Sequence, residues 1–219
     1  MIPSRCFAAL ALAVVLRTSG YTSEVRDVNT IPVHRYQITS SSSPQGNWKV
    51  TLKASANEDR GPTMWLVGGG GARKLMIGEL QRDAELVWCP TGRCLLVLEE
   101  PSIENVRLVL YKLGTEMERV SGLDGAIRNE IRASIGNGSR ILFYSVRPLK
   151  WLDGSHIVLA AQARYVKQGQ NAPAQLFTEG YVVDLDNGSI DRRVSAEDLK
   201  SKYGFTERIA EKKHARVSG

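Results

Sequence analysis

A chain of 219 residues, 42% apolar and 24% charged, has the composition of a globular protein and enough apolar mass for one good-sized domain or two small ones. Its 29 lysines and arginines against 23 acids leave +6, a mild excess that favours solubility and acidic surfaces but is not a nucleic-acid footprint.

Residues 1–20, MIPSRCFAALALAVVLRTSG, carry Arg5, an apolar run from Cys6 to Leu16, and then the small residues Thr18, Ser19 and Gly20. That is the three-part pattern of a secretory signal peptide. The run is about half of the roughly 20 residues a spanning helix needs. Arg17, close to the cleavage region, leaves an uncleaved anchor as the alternative. Cys6 stands at the start of the apolar run, not after it, and is not placed for lipidation. Loss of Arg5 and Arg17 with the leader lowers the net charge by two, to +4. The expected organisation is a leader over 1–20, a β domain over 21–194 and a tail over 195–219, in a protein exported to the periplasm or the extracellular space.

After the leader the chain repeats a pattern. SPQGNWKVTLKA begins at Ser43, CPTGRCLLVLEE at Cys89 and LDGSHIVLAAQA at Leu152. Each sets a turn with glycine (Gly46, Gly92, Gly154) ahead of a strand-like run, and Trp88 and Trp151 precede two of them. Further apolar runs follow at 64–67, 106–113 and 177–185, each with a turn and a short fourth run. The unit is strand, Gly turn, strand, loop, strand, turn, strand, three times over, with alternation such as Val106-Leu108-Leu110 setting the register. Gly46 and Gly92 are 46 residues apart, near the period of a four-stranded propeller blade. Gly92 and Gly154 are 62 apart, and the excess is taken up by Gly122–Ile135. There Leu123, Ile127 and Ile131 recur at helical spacing, with Asp124 available as N-cap.

The sequences Trp88-Cys-Pro-Thr-Gly-Arg and Trp151-Leu-Asp-Gly-Ser, with Ser43-Pro-Gln-Gly-Asn lacking the tryptophan, resemble the W-S-P-D-G-x turns of TolB-like and dipeptidyl-peptidase-type propellers over roughly residues 33–194. The resemblance implies an all-β, mostly antiparallel fold of three propeller-like four-stranded repeats with one inserted short helix and a short helical tail. It also implies a binding role in a bacterial envelope, and it brings no catalytic residues. Three repeats fall short of the 4–8 blades of closed propellers and leave open sheet edges for another chain.

Cys89 and Cys94 flank the Pro90-Thr91-Gly92-Arg93 turn and are the two cysteines left after the leader. In an oxidising compartment a pair facing across a hairpin is expected to form a disulfide. CxxxxC without further ligands is a poor zinc signal. Beyond Val194, Ser195 as N-cap with Glu197 and Asp198 in the first turn marks a short helix that Gly204 breaks. The run Lys212-Lys213-His214-Ala215-Arg216 reads as a solvated basic end with, at most, weak contact to anionic lipid.

Chemistry is hard to find. The tetraglycine Gly68–Gly71 lacks the GK[ST] of a phosphate loop and reads as a hairpin tip. Asp184, Asp186, Asn187, Gly188 and Asp191 miss the EF-hand spacing and read as a turn. His34, His156 and His214 are the histidines. His156 lies beside Asp153 and Ser155, but neighbours on a turn and strand point different ways, so a triad needs partners from elsewhere. Glu99-Glu100 before Pro101 reads as a solvated strand end. Asn137-Gly-Ser139 and Asn187-Gly-Ser189 fit glycosylation sequons that matter only in a eukaryotic secretory route. No catalytic residue, cofactor or metal site is expected. The sequence favours a non-catalytic exported envelope module, binding a protein or surface partner or self-associating through open edges, with membrane contact only through the leader or weakly through the tail. The alternatives are a small secreted hydrolase whose residues converge in three dimensions, and a structural part of a larger assembly.

Overall fold

The computed structural model describes residues 26–33, 40–54, 61–80, 82–102, 105–167, 169 and 173–206. The leader, His34, His214 and the basic run 212–216 lie outside the described residues. Two short strands, β1 (Arg26–Asp27) and β2 (Ile31–Val33), precede β3 (Ser40–Ser42), β4 (Trp48–Lys53), β5 (Thr63–Gly68) and β6 (Arg73–Glu79). Then come β7 (Ala84–Trp88), β8 (Cys94–Ser102), β9 (Asn105–Leu113) and β10 (Met117–Val120). Helix α1 (Leu123–Ile135) leads to β11 (Ser139–Trp151), β12 (His156–Lys167), β13 (Gln175–Asp184), β14 (Ser189–Val194) and helix α2 (Ala196–Tyr203).

Most of the structure is β, and nearly all pairing is antiparallel. β3-β4-β5-β6 form a sheet of their own. The other sheet has ten strands in the order β14-β13-β12-β11-β9-β8-β7-β2, with β1 added on β11 and β10 on β9. Among the described residues its one parallel pairing is β9 with β11, at Asn105 and Tyr144.

These two sheets correct the propeller expectation. The stretches that were to form separate second and third blades share one mixed sheet, joined by β9 and β11, and neither sheet closes on itself. The physical reason lies in what the glycine-turn motif specifies. It fixes a tight hairpin and a packing tryptophan, which any antiparallel meander can use, and says nothing of how successive meanders meet.

Burial explains the sequence of each strand. In β4, WKVTLK alternates because Trp48, Val50 and Leu52 face inward and the residues between them do not. The first half of β8, Cys94 to Leu98, is an unbroken apolar run because both its faces are covered. Leu95 and Val97 join Trp48, Leu66 and Tyr111 in a core against the four-stranded sheet, while Leu96 and Leu98 face α1 and β11–β13. Two polar bonds tie the sheets: Trp88 Nε1–H donates to Ser41 Oγ (2.8 Å) and Tyr111 O–H to the Ile77 carbonyl (2.9 Å).

α1 presents Leu123, Ile127, Ile131 and Ile135 to the core, as the spacing predicts. Its start differs from the expectation. Gly122, in a left-handed conformation, precedes the helix, and Asp124 lies inside the first turn. Instead of capping, the Asp124 carboxylate accepts from the Leu108 N–H (3.2 Å), Arg128 Nε (2.8 Å) and Tyr144 O–H (3.3 Å). α2 does begin at Ser195, whose Oγ accepts the Asp198 N–H at 3.1 Å. Leu199 and Phe205 then cover Val158, Ala160 and Val182 on the outer face of β12 and β13. Glu99 also departs from expectation. It is buried and ion-paired with Arg107 rather than solvated.

Candidate functional site

Each hairpin returns the chain, so the odd-numbered turns of the meanders gather at one end of the molecule. Gly46 follows β3 and Gly69–Gly71 follow β5, and Trp48 pairs with Gly68 beside them. Gly46, Asn47, Gly69, Gly70 and Arg73 line an open polar hollow together with Gly114 of the β9–β10 turn. The Cys89–Cys94 turn reaches back to the first: Gly92, at φ +65°, leaves only 2.8 Å between the position of a Cβ and Gln45 Oε1. Gly154 of the β11–β12 turn lies under Thr91, whose Cγ2 would stand 2.8 Å from a Cβ there. The β13–β14 turn closes on Val120, 2.5 Å from a Cβ at Gly188. Three turns that look alike in sequence therefore meet in space, with glycine at two of the contacts, Gly92 under Gln45 and Gly154 under Thr91.

Cys89 and Cys94 sit within this end as buried free thiols, so the expected disulfide is not formed in this structure. The turn nevertheless holds them side by side. The Cys89 N–H donates to the Cys94 carbonyl (3.1 Å), and the Cys94 N–H donates to Cys89 Sγ (2.9 Å). Thr91 Oγ1 lies 3.2 Å from the same sulfur. The side-chain hydrogen bond from the Cys94 thiol lowers the Cys89 thiol to about 6 against the opposing effect of burial, with smaller help from Thr91 and the Cys94 N–H. Cys94 is pushed up by the side-chain hydrogen bond to Cys89 and by burial.

The other chemistry gathers around His156 at the head of β12. Asp153 Oδ1 accepts the backbone N–H groups of Ser155 (2.8 Å) and His156 (2.7 Å) and also faces the ring Nδ1 at 2.9 Å. Asp191 Oδ2 stands 3.1 Å from Nε2. Asp184 pairs with His156 across β12 and β13. Its carboxylate accepts the N–H groups of Asp186 (2.7 Å) and Asn187 (3.3 Å) and the Asn187 side-chain amide. Burial works against a charged imidazole, but the Asp153 hydrogen bond and the charges of Asp153, Asp184 and Asp191 outweigh it and hold His156 above its usual range. For Asp153, burial is likewise outweighed by the donors from Ser155 and His156, and its pKa falls.

This arrangement bears on the hydrolase alternative. Ser155 Oγ is 3.3 Å from Nδ1, on the side Asp153 already occupies. A triad places carboxylate and nucleophile on opposite ring nitrogens, and here Nε2 meets Asp191 instead of a hydroxyl. The sequence read His156 with Asp153 and Ser155 as one group, and Asp184 with Asp191 as part of a separate turn. The structure brings the two groups together through the β12–β13–β14 register. Strand pairing was the signal for it, since Asp184 stands opposite His156 and the register shift between Val182 and Val183 leaves Asp191 as the extra residue on β14 beside them. The second hollow of note, about 100 Å³ and lined by Glu79, Arg82, Asp83, Glu99, Glu100 and Arg107, takes in none of these residues.

No family model, curated protein or solved structure matches the chain.

Proposed function

We propose that the chain is a non-catalytic exported module that binds a protein or surface partner through its turn-bearing end. The observation that carries the reading is the contact of the three glycine turns, Gln45 on Gly92 and Thr91 on Gly154, which makes separate hairpins into one face. Exposed Gln45, Asn47, Arg93 and Asn187 give that face its polar character, and its hollow is open and shallow, suited to a surface contact rather than to enclosing a small substrate. The test is capture from envelope fractions of the native cell. A partner held by the wild type and by Arg82→Glu, at the other end, is expected to be lost with Arg93→Glu or Asn47→Glu. Equal capture by all four proteins overturns the assignment of the face.

Sheet edges supply a second contact within the same reading. β14 exposes Asp191, Arg192 and Arg193, charges that discourage strand addition. β6 exposes Met76, 57% accessible, on a strand that among the described residues pairs only with β5. A second copy adds there. Sedimentation over a range of concentrations is expected to show association that Met76→Glu abolishes, and a monomer throughout removes self-association from the reading.

A further inference from the structure

We infer that His156, Asp184 and Asp191 form a binding site for one divalent transition-metal ion of the zinc type. Each residue comes from a different strand, β12, β13 and β14, and each offers one ligand atom, all of them within 4.8 Å of one another. Bonds of about 2.0–2.2 Å from imidazole and carboxylate to such an ion close that span with small side-chain rotations. The ligand chemistry selects the ion. An imidazole nitrogen suits Zn²⁺ and its neighbours in the first transition row, whereas a site made for calcium would be all oxygen.

Two further features point to a cation. Asp153 holds Nδ1 at 2.9 Å and is itself fixed by two backbone N–H groups, which leaves Nε2 as the ring's ligand atom and sets its direction. Metal-bound histidines carry such a carboxylate on the other nitrogen. The second feature is charge. Three carboxylates surround one imidazole, and among the described residues no lysine or arginine makes an ion pair with Asp153, Asp184 or Asp191. With the imidazole neutral, as a ligand must be, three negative charges face the ion, and a divalent ion offsets two of them. On binding, the ion takes the place of the Nε2 proton now facing Asp191, that proton leaves to solvent, and Nδ1–H stays on Asp153. Three protein ligands leave a coordination position for water or for a donor from a partner.

The site does not depend on the turn face binding a partner, and its test is separate. Full-length protein, stripped with chelator, is titrated with Zn²⁺ by calorimetry and with Co²⁺ by visible absorption. One ion per chain is expected, with binding abolished in His156→Ala and in Asp191→Asn and weakened about 10–100-fold in Asp153→Asn. Asp186→Asn, an exposed acid two residues from Asp184, leaves binding unchanged. Circular dichroism of each variant separates loss of the ion from loss of the fold. Absence of stoichiometric binding overturns the inference. So does binding that survives His156→Ala and Asp191→Asn but is lost in Cys94→Ser, which would place the ion on the thiols.

Discussion

Asp124 shows how much one side chain can carry. Its carboxylate joins the backbone of β9, through Leu108, to the hydroxyl of Tyr144 on β11 and to Arg128 on its own helix. Arg128 in turn donates to the Val106 carbonyl (2.9 Å) and stacks 3.7 Å from the Tyr144 ring centroid. Removing the carboxylate leaves a backbone N–H, a hydroxyl and a half-buried guanidinium with fewer partners. Asp124→Ala is therefore expected to cost about 2–3 kcal/mol, read as a lower urea midpoint with an unchanged slope. The helix itself was legible from Leu123, Ile127 and Ile131. The role of Asp124 was not, because an aspartate in a first turn looks the same whether it caps or reaches across to strands far away in sequence. His156 gives the parallel case for the site. Its contact with Asp153 was visible as a local spacing, and its contact with Asp184 and Asp191 needed the register of three strands.

At the scale of elements, glycine turns and apolar alternation marked the hairpins because those signals are local. α2 was legible for the same reason, through Ser195 and Gly204, while its seat on β12 and β13 was not. Leu199 is fully buried there, so Leu199→Ala is expected to cost about 2–5 kcal/mol and to raise hydrogen exchange in β13 ahead of β8. The Cys89–Cys94 turn carries a different expectation. With the cysteines already paired through backbone and sulfur contacts, the chain is expected to form the disulfide when exposed to a thiol oxidant, since little chain rearrangement is needed. Mass analysis of non-reduced digests checks it, and free thiols in periplasmic material count against it. The gain in stability falls at the low end of about 0–5 kcal/mol because the loop is short.

For the whole molecule, the decisive unread fact was which strands meet between meanders. Joining β9 to β11 depends on both faces of β8 and β9 being covered, one by the four-stranded sheet and the other by α1 and β11–β13, and no local pattern encodes that. The doubly covered interior has a consequence at high pH. Tyr111, Tyr144 and Tyr181 are buried, and burial, with nearby acids, raises all three hydroxyls above their usual range. In the unfolded chain they titrate near pH 10. The folded protein thus keeps more protons than the unfolded chain above that pH, and stability, fully present below about 10, falls as pH rises further. Alkaline titration followed by phenolate absorbance is expected to show these three ionising only as the fold is lost. Smooth ionisation with tertiary structure intact refutes it.

The ten-stranded sheet is continuous on paper, yet between β9 and β11 its ladder is a single pair, Asn105 with Tyr144. Under tension such a sheet tears at its narrowest stitch, because one rung bears what eleven rungs bear between β11 and β12. The load path across the gap therefore leaves the backbone and runs through α1, whose Asp124 grips β9 and β11 at once. In engineering terms the molecule is two plates and a clip. Once the clip is cut, a force pulling the plates apart is resisted by the apolar core they share, Leu96, Leu98 and Leu110 against Tyr144, Ile157 and Leu159, rather than by a backbone ladder.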